Sequence, residues 1–426
     1  MTSTALCTTP VLAWPDPEGA VLFRGGSARH DLAAHRSVFG GDEARDPSEL
    51  AELIEHSGLL GRGGAGFPLA VKLAAARGEG VEPVVIINAS ESEPASRKDA
   101  ALGQWRPHLV LDGAAAVARS VGGREVAIRL HRGARALEGS LRAAINERGS
   151  GAPRFAVSSG PRRFVAGESS AVASAVAGGR GLPLHKTVPL ALKGPSGRPT
   201  IVLNAETAAH VGLLCSMELA DWRASGPQGS AGTRLLTLAG HVRSPGAVVE
   251  LTGPTTFAHL LAAQGVHATP NAVLVGGFAG TWFAGETLMG LDVSDQGLEP
   301  FGATLGCGVV AVIPPGRCAL AEVNHITTYL ASESAGQCGP CVGGLPEVAA
   351  IIDKLARGTA RRRHLRRFEA IAEELRGRGA CAHPDAAISM VRSALAMLID
   401  EVDRHLGGRV CTDLHGTPVL SLGEQR

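Results

Sequence analysis

The first half of the chain alternates between short apolar runs and longer segments in which apolar residues recur every three or four positions. Val84 to Ile87 is a continuous β-branched run, which predicts a buried strand. Asp46-Pro47 is a typical helix start, and Gly58 is placed to end that helix. The same two patterns predict helices over 109–121 and 134–147 and strands over 126–130 and 155–157. This alternation indicates an α/β fold with an open sheet.

The pattern changes twice further along the chain. Between about Thr233 and Leu291, short apolar runs are separated by Gly and Pro, which predicts a small β-rich domain. The runs lie at 235–238, 248–251 and 272–275. From Val323 onward the pattern is mainly helical, with Leu365 and Phe368 on one helix face, so we expect a helical bundle at the C-terminus.

Length and composition restrict the class of protein. At 426 residues the chain is long enough for more than one domain, and its 45% hydrophobic and 19% charged residues are typical of a folded protein. A formal net charge of +1 gives no long-range field that would attract nucleic acid. No apolar run reaches the roughly 18 residues that a membrane-spanning helix needs, and the N-terminus lacks a signal-peptide pattern. We therefore expect a cytoplasmic protein without nucleic-acid partners or direct membrane insertion.

A glycine-rich segment follows the first predicted helix. Gly61 to Gly66 has the GxGxxG spacing that brings a backbone close to a dinucleotide pyrophosphate. A dinucleotide-binding fingerprint follows a strand, however, so the usual βαβ interpretation fails here. The glycines still free backbone amides for a phosphate, and Lys72, about one turn into the next predicted helix, is within reach of the same anion. A purely structural turn is the alternative.

Polar residues follow two further predicted elements. Asn88 ends the first predicted strand, and Glu91 and Glu93 come directly after it, so their side chains are candidates to hydrogen-bond a nucleotide. A polar loop that caps the next element is the alternative. Gly167-Glu168 leads into an alanine-rich predicted helix, whose free amides would form an anion site.

Cysteines near the C-terminus carry the clearest metal-binding pattern. Cys338 and Cys341 lie in a Cys-x-x-Cys segment, and Cys381 follows a predicted helix. In a reducing compartment such cysteines are free thiols or metal ligands, and iron–sulfur ligation fits the spacing. A common four-cysteine pattern would place another thiolate at position 335, where this chain has Ala335.

Three thiolates are compatible with several kinds of metal site. They could hold a 3Fe–4S cluster, or a 4Fe–4S cluster whose fourth iron takes Ser334, Glu333, a distant cysteine or solvent. A zinc site and a vestigial site without metal are the alternatives. The remaining cysteines are isolated in sequence and are interpreted as small buried hydrophobic residues: Cys7, Cys215, Cys307, Cys318 and Cys411.

The order of these motifs is more specific than any one of them. They run Gly-Arg-Gly-Gly-Ala-Gly-Phe-Pro, Asn-Ala-x-Glu-x-Glu-Pro, Gly-Glu, Asn-x-Glu-Thr and Gln-Cys-x-Pro-Cys. This collinear series resembles the NADH-binding flavoprotein subunit of respiratory complex I and the related diaphorase subunits of hydrogenases and formate dehydrogenases. The resemblance extends from about Ser57 to about residue 405, and 238–246 is similar to the opening of the family's β-grasp domain.

The resemblance implies a fold and a domain order. The expected fold is α/β, with a Rossmann-like flavin-binding α/β domain, a small β-grasp domain and a C-terminal helical bundle. The implied divisions are an N-terminal segment over 1–45, the FMN- and NADH-binding domain over 46–230, the β-grasp domain with connecting strands over 231–322, and the iron–sulfur-binding helical domain over 323–426.

The resemblance also implies cofactors and the residues that hold them. NADH would deliver a hydride to FMN, and an iron–sulfur cluster would accept electrons singly. The implied FMN residues are Gly61, Gly63, Gly64, Lys72, Asn88, Glu91, Gly167, Glu168 and Asn204. The positions associated with NADH are Phe67, Glu93 and Lys186, and the cluster ligands are Cys338, Cys341 and Cys381.

Departures from the family pattern keep three functions open. Ser90 and Ser169 stand where the family has carboxylates, Ser92 stands where it has glycine, and Ala335 replaces a cysteine. We expect an NADH:acceptor oxidoreductase subunit that passes electrons to a smaller iron–sulfur subunit or another acceptor protein. A flavoprotein that does not use NADH and a non-catalytic structural paralogue are the alternatives.

Overall fold

The computed structural model describes residues 11–26, 28–40, 46–78, 80–149, 151, 153–185, 187–412 and 416–422. Its strands are β1 (Val11–Trp14), β2 (Val84–Ala89), β3 (Glu125–His131), β4 (Arg154–Gly160), β5 (Thr200–Asn204), β6 (Arg234–Gly240), β7 (Val248–Leu251), β8 (Ala272–Val275), β9 (Thr281–Ala284) and β10 (Val309–Ile313).

The helices of the described residues are α1 (Leu32–Phe39), α2 (Pro47–Ser57), α3 (Leu69–Ala76), α4 (Lys98–Trp105), α5 (Pro107–Ser120), α6 (Arg135–Arg148), α7 (Ser169–Val176), α8 (Ala205–Ser216), α9 (Leu219–Ala224), α10 (Phe257–Ala263), α11 (Gly285–Met289), α12 (Asp295–Leu298), α13 (Ala319–Ser332), α14 (Leu345–Ala356), α15 (Arg362–Leu375), α16 (His383–Met397) and α17 (Ile399–Leu406). Within these described ranges, none of the helices combines the length and apolar character needed to cross a bilayer.

A parallel sheet forms the first half of the molecule. Its strand order is β4-β3-β2-β5, and every neighbouring pair runs parallel. From β2 the chain moves outward through β3 and β4, then returns to the other side of β2 with β5. This reversal opens a crevice at the carboxyl ends of β2 and β5, where ligands bind in open α/β sheets. Asn88 and Asn204 are paired in register at that edge.

Local sequence signals explain the elements that precede the sheet. The side chain of Asp46 accepts a hydrogen bond from the Ser48 N–H and caps α2, and Gly58 ends it in a left-handed conformation with φ 67°. Leu50 and Ile54 are buried on the inner face of this helix. The predicted helices and strands between positions 46 and 160 are present, with ends displaced by one to three residues. The prediction of an α/β fold is confirmed.

A second, mixed sheet follows in the chain, with the order β1-β7-β6-β10-β8-β9. The three apolar runs of the β-rich segment form β6, β7 and β8. The sequence assigned no element to the N-terminal segment, yet β1 pairs in parallel with β7. Buried Glu250 holds the chain after β1, because its carboxylate accepts hydrogen bonds from the backbone N–H groups of Val21, Leu22 and Phe23.

Helices α13 to α16 share a core with one face of the second sheet, and α17 packs on α13, α14 and α16. Phe368, Ile371 and Ala372 of α15 are buried in a core that also contains Trp282 of β9 and Ile326 of α13. The expected helical character of the chain after position 323 is therefore observed in the described residues.

A buried ion pair joins the two halves. Lys98 Nζ at the start of α4 lies 2.5 Å from Glu206 Oε2 at the start of α8, and their side chains are 3% and 1% exposed. Lys98 also donates to the backbone carbonyl of Arg62 in the glycine loop, while the other oxygen of Glu206 accepts from the Leu235 N–H of β6 at 2.9 Å. One pair thus holds the loop, the parallel sheet and the mixed sheet together.

Replacing Lys98 with methionine should destabilise the protein strongly, because it leaves the Glu206 carboxylate buried and unpaired. We expect Lys98→Met to lower the free energy of unfolding by about 3–5 kcal/mol, measured by urea denaturation. The double variant Lys98→Met/Glu206→Leu should recover part of this loss.

The exposed pair of Arg154 and Glu125, at 2.6 Å, is the matched control. Arg154→Met should change the free energy of unfolding by no more than about 1 kcal/mol. Equal effects of Lys98→Met and Arg154→Met would contradict the role given to the buried pair.

Candidate functional site

The glycine loop lies at the crevice of the parallel sheet. It connects α2 to α3 and is closed by a hydrogen bond from the Gly61 N–H to the Phe67 carbonyl at 3.0 Å. Gly64 and Gly66 have φ of +111° and +60°, a region in which side chains are strained. A Cβ on Gly66 would have no neighbour within 4 Å. The loop therefore presents open backbone to a ligand, which fits a nucleotide phosphate.

Arg62 anchors this loop to neighbouring parts of the chain. Its N–H donates to the Thr207 hydroxyl at 2.9 Å, and its guanidinium donates to the carbonyl of Ala231. Burial, together with the charge of Arg234, lowers the pKa of Arg62 to about 9. These contacts hold the backbone of the loop in a fixed position relative to α8.

A small cavity lies between the loop, α3 and the ends of β2 and β5. Lys72 reaches its wall, where Nζ donates to the Val202 carbonyl at 3.2 Å and lies 5.8 Å from the centre of the Phe67 ring. The amide of Asn88 donates to the Gly167 carbonyl at 2.8 Å. The structure brings these predicted site residues to this cavity: Gly61, Gly63, Phe67, Lys72, Asn88, Gly167 and Asn204.

Two predicted carboxylates are engaged at helix starts. Glu91 accepts hydrogen bonds from the N–H groups of Asp99 at 2.9 Å and Ala100 at 3.1 Å. Its φ of 41° is in the left-handed region, a strained conformation of the kind found at functional sites. Glu168 caps α7 by accepting from the N–H groups of Ser170 and Ala171. The expectation that the start of α7 offers free amides is therefore wrong, because Glu168 occupies two of them.

A larger cavity of about 500 Å³ adjoins the small one, and Gly63 and Gly167 line both. Its walls come from the glycine loop, from the segment that ends in Glu168, from the mixed sheet and from the start of α16. Ala382 and His383, which directly follow Cys381, form one end of it. The cavity thus extends from the glycine loop to the cysteine-bearing region.

The wall from the mixed sheet was missed by the sequence analysis. It includes Gly276, Thr281, Thr304 and Cys307. Cys307, interpreted from the sequence as a buried hydrophobic residue, is half-buried at this wall and donates to the Gly276 carbonyl at 3.1 Å. The only local signal was the pair of glycines that follows the third apolar run of the β-rich segment.

Glu93 lies buried at the junction of the two sheets. Its carboxylate accepts from the N–H groups of Phe278 at 2.9 Å and Ala95 at 3.3 Å. Burial raises the pKa of Glu93 to about 7, although the two amides and the charge of Arg97 oppose the rise. A Cβ on Gly277 would lie 2.7 Å from this carboxylate, so glycine is required there. Glu93 can therefore hold a proton at the cavity near neutral pH.

The three predicted cluster ligands lie in the segments that flank α14 and α15. Cys338 precedes a single π-helical turn that contains Cys341, and Cys381 precedes α16. The pKa of Cys341 is raised to about 11, chiefly by burial and also by the neighbouring Cys338 and Cys381, whereas a hydrogen bond from the Ala335 backbone opposes the shift. Cys338 and Cys341 are thus hydrogen-bonded neighbours, and Cys381 is close enough for its charge to act on Cys341.

One oxygen of the Glu333 carboxylate accepts from the Phe164 N–H at 2.8 Å. Lys186 and Cys7 lie outside the described residues.

An α/β crevice with a glycine loop, whose cavity reaches the residues directly after Cys381, fits a nucleotide-binding electron-transfer protein. Residues 54–213 match the family described as Nuo51 FMN-binding domain, and residues 321–405 match the NADH-ubiquinone oxidoreductase-F iron-sulfur binding region. The chain belongs to the family of the F subunits of NADH-quinone oxidoreductases, and the predicted resemblance is confirmed.

Three individual comparisons support this membership. The NADH-quinone oxidoreductase F subunit of Mycobacterium tuberculosis is 28% identical over 96% of each chain. The NADH-quinone oxidoreductase F 2 subunit of Rhizobium meliloti is 30% identical over 86% of this chain and 90% of its own. A crystal structure of an H2-reduced NAD+-reducing [NiFe]-hydrogenase superposes with a TM-score of 0.79 and 28% identity, over 89% of this chain and 67% of that chain. The chain therefore carries both the FMN-binding and the iron–sulfur regions of an NADH oxidoreductase.

Neutralising Glu93 should change how stability depends on pH. Because the pKa of Glu93 is raised from 4.5 to about 7 on folding, the folded state binds the proton more tightly. The stability from this group is present below pH ~4.5 and is lost as pH rises to ~7, by up to about 3 kcal/mol. Glu93→Gln should remove this loss, measured as urea stability from pH 4.5 to 7.5.

Glu52 on α2 is exposed and provides the control. Glu52→Gln should follow the wild-type pH profile. Parallel profiles for Glu93→Gln and the wild type would show that Glu93 does not carry this proton.

Proposed function

We propose that the chain is an electron-input subunit that oxidises NADH through FMN and delivers single electrons to an iron–sulfur cluster and then to a partner. The observation that carries the proposal is the 500 Å³ cavity, which the glycine loop lines at one end and the residues after Cys381 line at the other. A flavin held at the loop would lie beside the cluster site, as stepwise electron transfer requires.

The FMN site is proposed to contain Gly61, Gly63, Gly64, Lys72, Asn88, Glu91, Gly167, Glu168 and Asn204. All except Glu91 line one of the two adjoining cavities. The loop amides and Lys72 would hold the phosphate of FMN. Asn88 and Asn204 would hydrogen-bond the other polar groups of the same cofactor. When bound, FMN supplies the conversion between a two-electron donor and one-electron carriers. Glu91 supports the site indirectly, because it fixes the start of α4.

NADH is proposed to enter over Phe67 and Glu93, with Lys186 as a further contact. Phe67 is 47% exposed beside the glycine loop, so its ring is accessible for stacking on a nucleotide base. Glu93 would present a protonated carboxyl to the nicotinamide side of the cavity near neutral pH.

The cluster is proposed to bind through Cys338, Cys341 and Cys381. Ala335 lies beside these thiols but offers no ligand, and Glu333 bonds to Phe164 instead. Either a 3Fe–4S cluster or a 4Fe–4S cluster with a non-cysteine fourth ligand is consistent with three thiolates.

The proposal also assigns a role to each part of the fold. The parallel sheet would be the Rossmann-like flavin domain over 46–230, the mixed sheet the β-grasp domain with connecting strands over 231–322, and the last helices the iron–sulfur domain over 323–426. We revise the segment 1–45, since its strand β1 belongs to the mixed sheet. A smaller iron–sulfur subunit or another acceptor protein is the proposed partner, in the cytoplasm.

A flavoprotein that does not use NADH is the second candidate. Two serines favour it: the Ser90 hydroxyl donates to Asn88 Oδ1 at 2.5 Å, and Ser92 packs so closely on Gly167 that a Cβ there would lie 2.0 Å from its hydroxyl. Ser90 therefore adds no charge where the family has a carboxylate, and Ser92 adds bulk beside Gly167 where the family has glycine.

Adding NADH to the anaerobic protein distinguishes these candidates. The flavin absorbance near ~450 nm should fall with NADH alone under the first proposal. Bleaching by dithionite but not by NADH would favour the second candidate, and a protein that stays colourless after reconstitution with FMN would reject both.

A charge change at Lys72 shows whether the bleached flavin is the one held by the loop. Lys72→Glu should retain less FMN, because an anion would replace the cation that faces the phosphate. Arg36→Glu, an exposed change of the same charge on α1, should retain FMN as the wild type does. Equal retention in both variants would contradict the assignment of Lys72.

A further inference from the structure

Four metal-ligating side chains meet at the far end of the helical region, away from the cavities described above. Cys318 precedes α13, Glu401 and His405 lie one turn apart on α17, and Cys411 follows α17. One donor atom from each lies within 4.8 Å of all the others. Cys318, Glu401 and His405 are buried and Cys411 is partly buried.

The donor atoms have the spacing of a tetrahedral site. Cys318 Sγ lies 3.2 Å from Glu401 Oε1 and 3.8 Å from His405 Nε2, and Cys411 Sγ lies 3.4 Å from the same nitrogen. Zinc bonds of about 2.0–2.3 Å in tetrahedral geometry place neighbouring ligand atoms about 3.3–3.8 Å apart. A sulfur–nitrogen or sulfur–oxygen edge is about 3.5 Å with these bond lengths, and the three distances lie within about 0.3 Å of that edge.

Neighbouring backbone and side-chain groups orient the ligands for a cation. His405 Nδ1 lies 2.9 Å from the Ala356 carbonyl, so this nitrogen carries the proton, and the lone pair of Nε2 accepts from the Cys411 N–H at 3.3 Å beside the two sulfurs. Glu401 is oriented by the Leu320 N–H at 2.9 Å and by the Asn271 amide at 3.0 Å. Such supporting hydrogen bonds are typical of metal-ligating histidines and carboxylates.

The charge of the group also fits a divalent cation. Two thiolates, one carboxylate and a neutral imidazole around a dication leave one net negative charge, and Arg404 lies 3.9 Å from Glu401 Oε2 to balance it. Binding would release the two thiol protons to solvent, and no oxidation is involved. Two sulfurs, one nitrogen and one oxygen in a closed four-ligand set favour zinc over magnesium or calcium, which prefer oxygen ligands alone.

We infer that Cys318, Glu401, His405 and Cys411 form a structural zinc site that ties the start of α13 to the C-terminal end of the helical region. This zinc site is separate from the three-cysteine site. Cys318 lies at the start of α13 and Cys338 follows its other end, and a helix of 14 residues is about 20 Å long.

Metal analysis of the purified full-length protein tests the inference. We expect about one zinc per chain, lost in Cys318→Ser and in Cys411→Ser but retained in Cys341→Ser and in Cys215→Ser. Cys341→Ser separates this site from the three-cysteine site, and Cys215→Ser controls for the loss of any thiol. Zinc that is lost with Cys341→Ser and retained in Cys318→Ser would overturn the inference.

A second measurement uses the wild-type chain and does not depend on the folding of a variant. After zinc is removed with a chelator under reducing conditions, adding back Zn²⁺ should raise the midpoint of thermal unfolding, because the metal binds the folded state. Cobalt(II) in its place should give the visible absorption of a tetrahedral thiolate site. No metal uptake, or a disulfide between Cys318 and Cys411 in the protein as purified, would reject the site.

Discussion

The buried pair of Lys98 and Glu206 is the interaction on which the rest of the structure depends. Burial alone would raise the pKa of Glu206, but the nearby charges of Lys98, Arg234 and Arg62 outweigh it and lower the pKa below its usual range. The carboxylate is therefore held ionised between the two sheets. It bonds to β6 on one side, while its partner Lys98 bonds to the glycine loop on the other. A ligand site that uses backbone atoms needs such a support, because a displaced backbone cannot be corrected by a change of rotamer.

This support places the open face of the loop against a cavity that two other parts of the chain complete. The mixed sheet contributes Gly276 and Cys307, and the helical region contributes His383, whose ring nitrogen lies 2.8 Å from the Leu330 carbonyl. The site therefore exists only when the parallel sheet, the mixed sheet and the helices are packed together. That arrangement suits a protein whose task is to take electrons from a nucleotide at one end and release them at a cluster at the other.

Much of the fold was predictable because its signals are local. Asp46 and Gly58 mark the ends of α2 by capping chemistry, and the β-branched run from Val84 marks β2 by its burial on both faces. The pairing of β1 with β7 was not predictable, because the partner strand is distant in sequence and the short apolar run of β1 is bounded by Pro10 and Pro15. Domain boundaries inferred from local sequence patterns therefore missed that strand.

Some features of the candidate site were predictable from local sequence, and others were not. Glycine spacing and the Cys-x-x-Cys segment indicated the loop and the thiols, whereas the use of Glu168 as a helix cap depends on backbone geometry that a motif does not contain. The group around Cys318 and Cys411 joins distant segments, and for that reason these two cysteines were interpreted from the sequence as small buried hydrophobic residues.

The central claim is that electrons from NADH reach the three-cysteine site through this chain. Rapid mixing of the anaerobic, cofactor-loaded protein with NADH, followed by freezing and electron paramagnetic resonance, measures this directly. The account predicts that the iron–sulfur signal changes as the flavin is reduced in the wild type, and that it is absent in Cys338→Ser, whose flavin is still reduced. A flavin reduced by NADH beside a wild-type cluster that keeps its oxidised signal, or an unchanged iron content in Cys338→Ser, would contradict it.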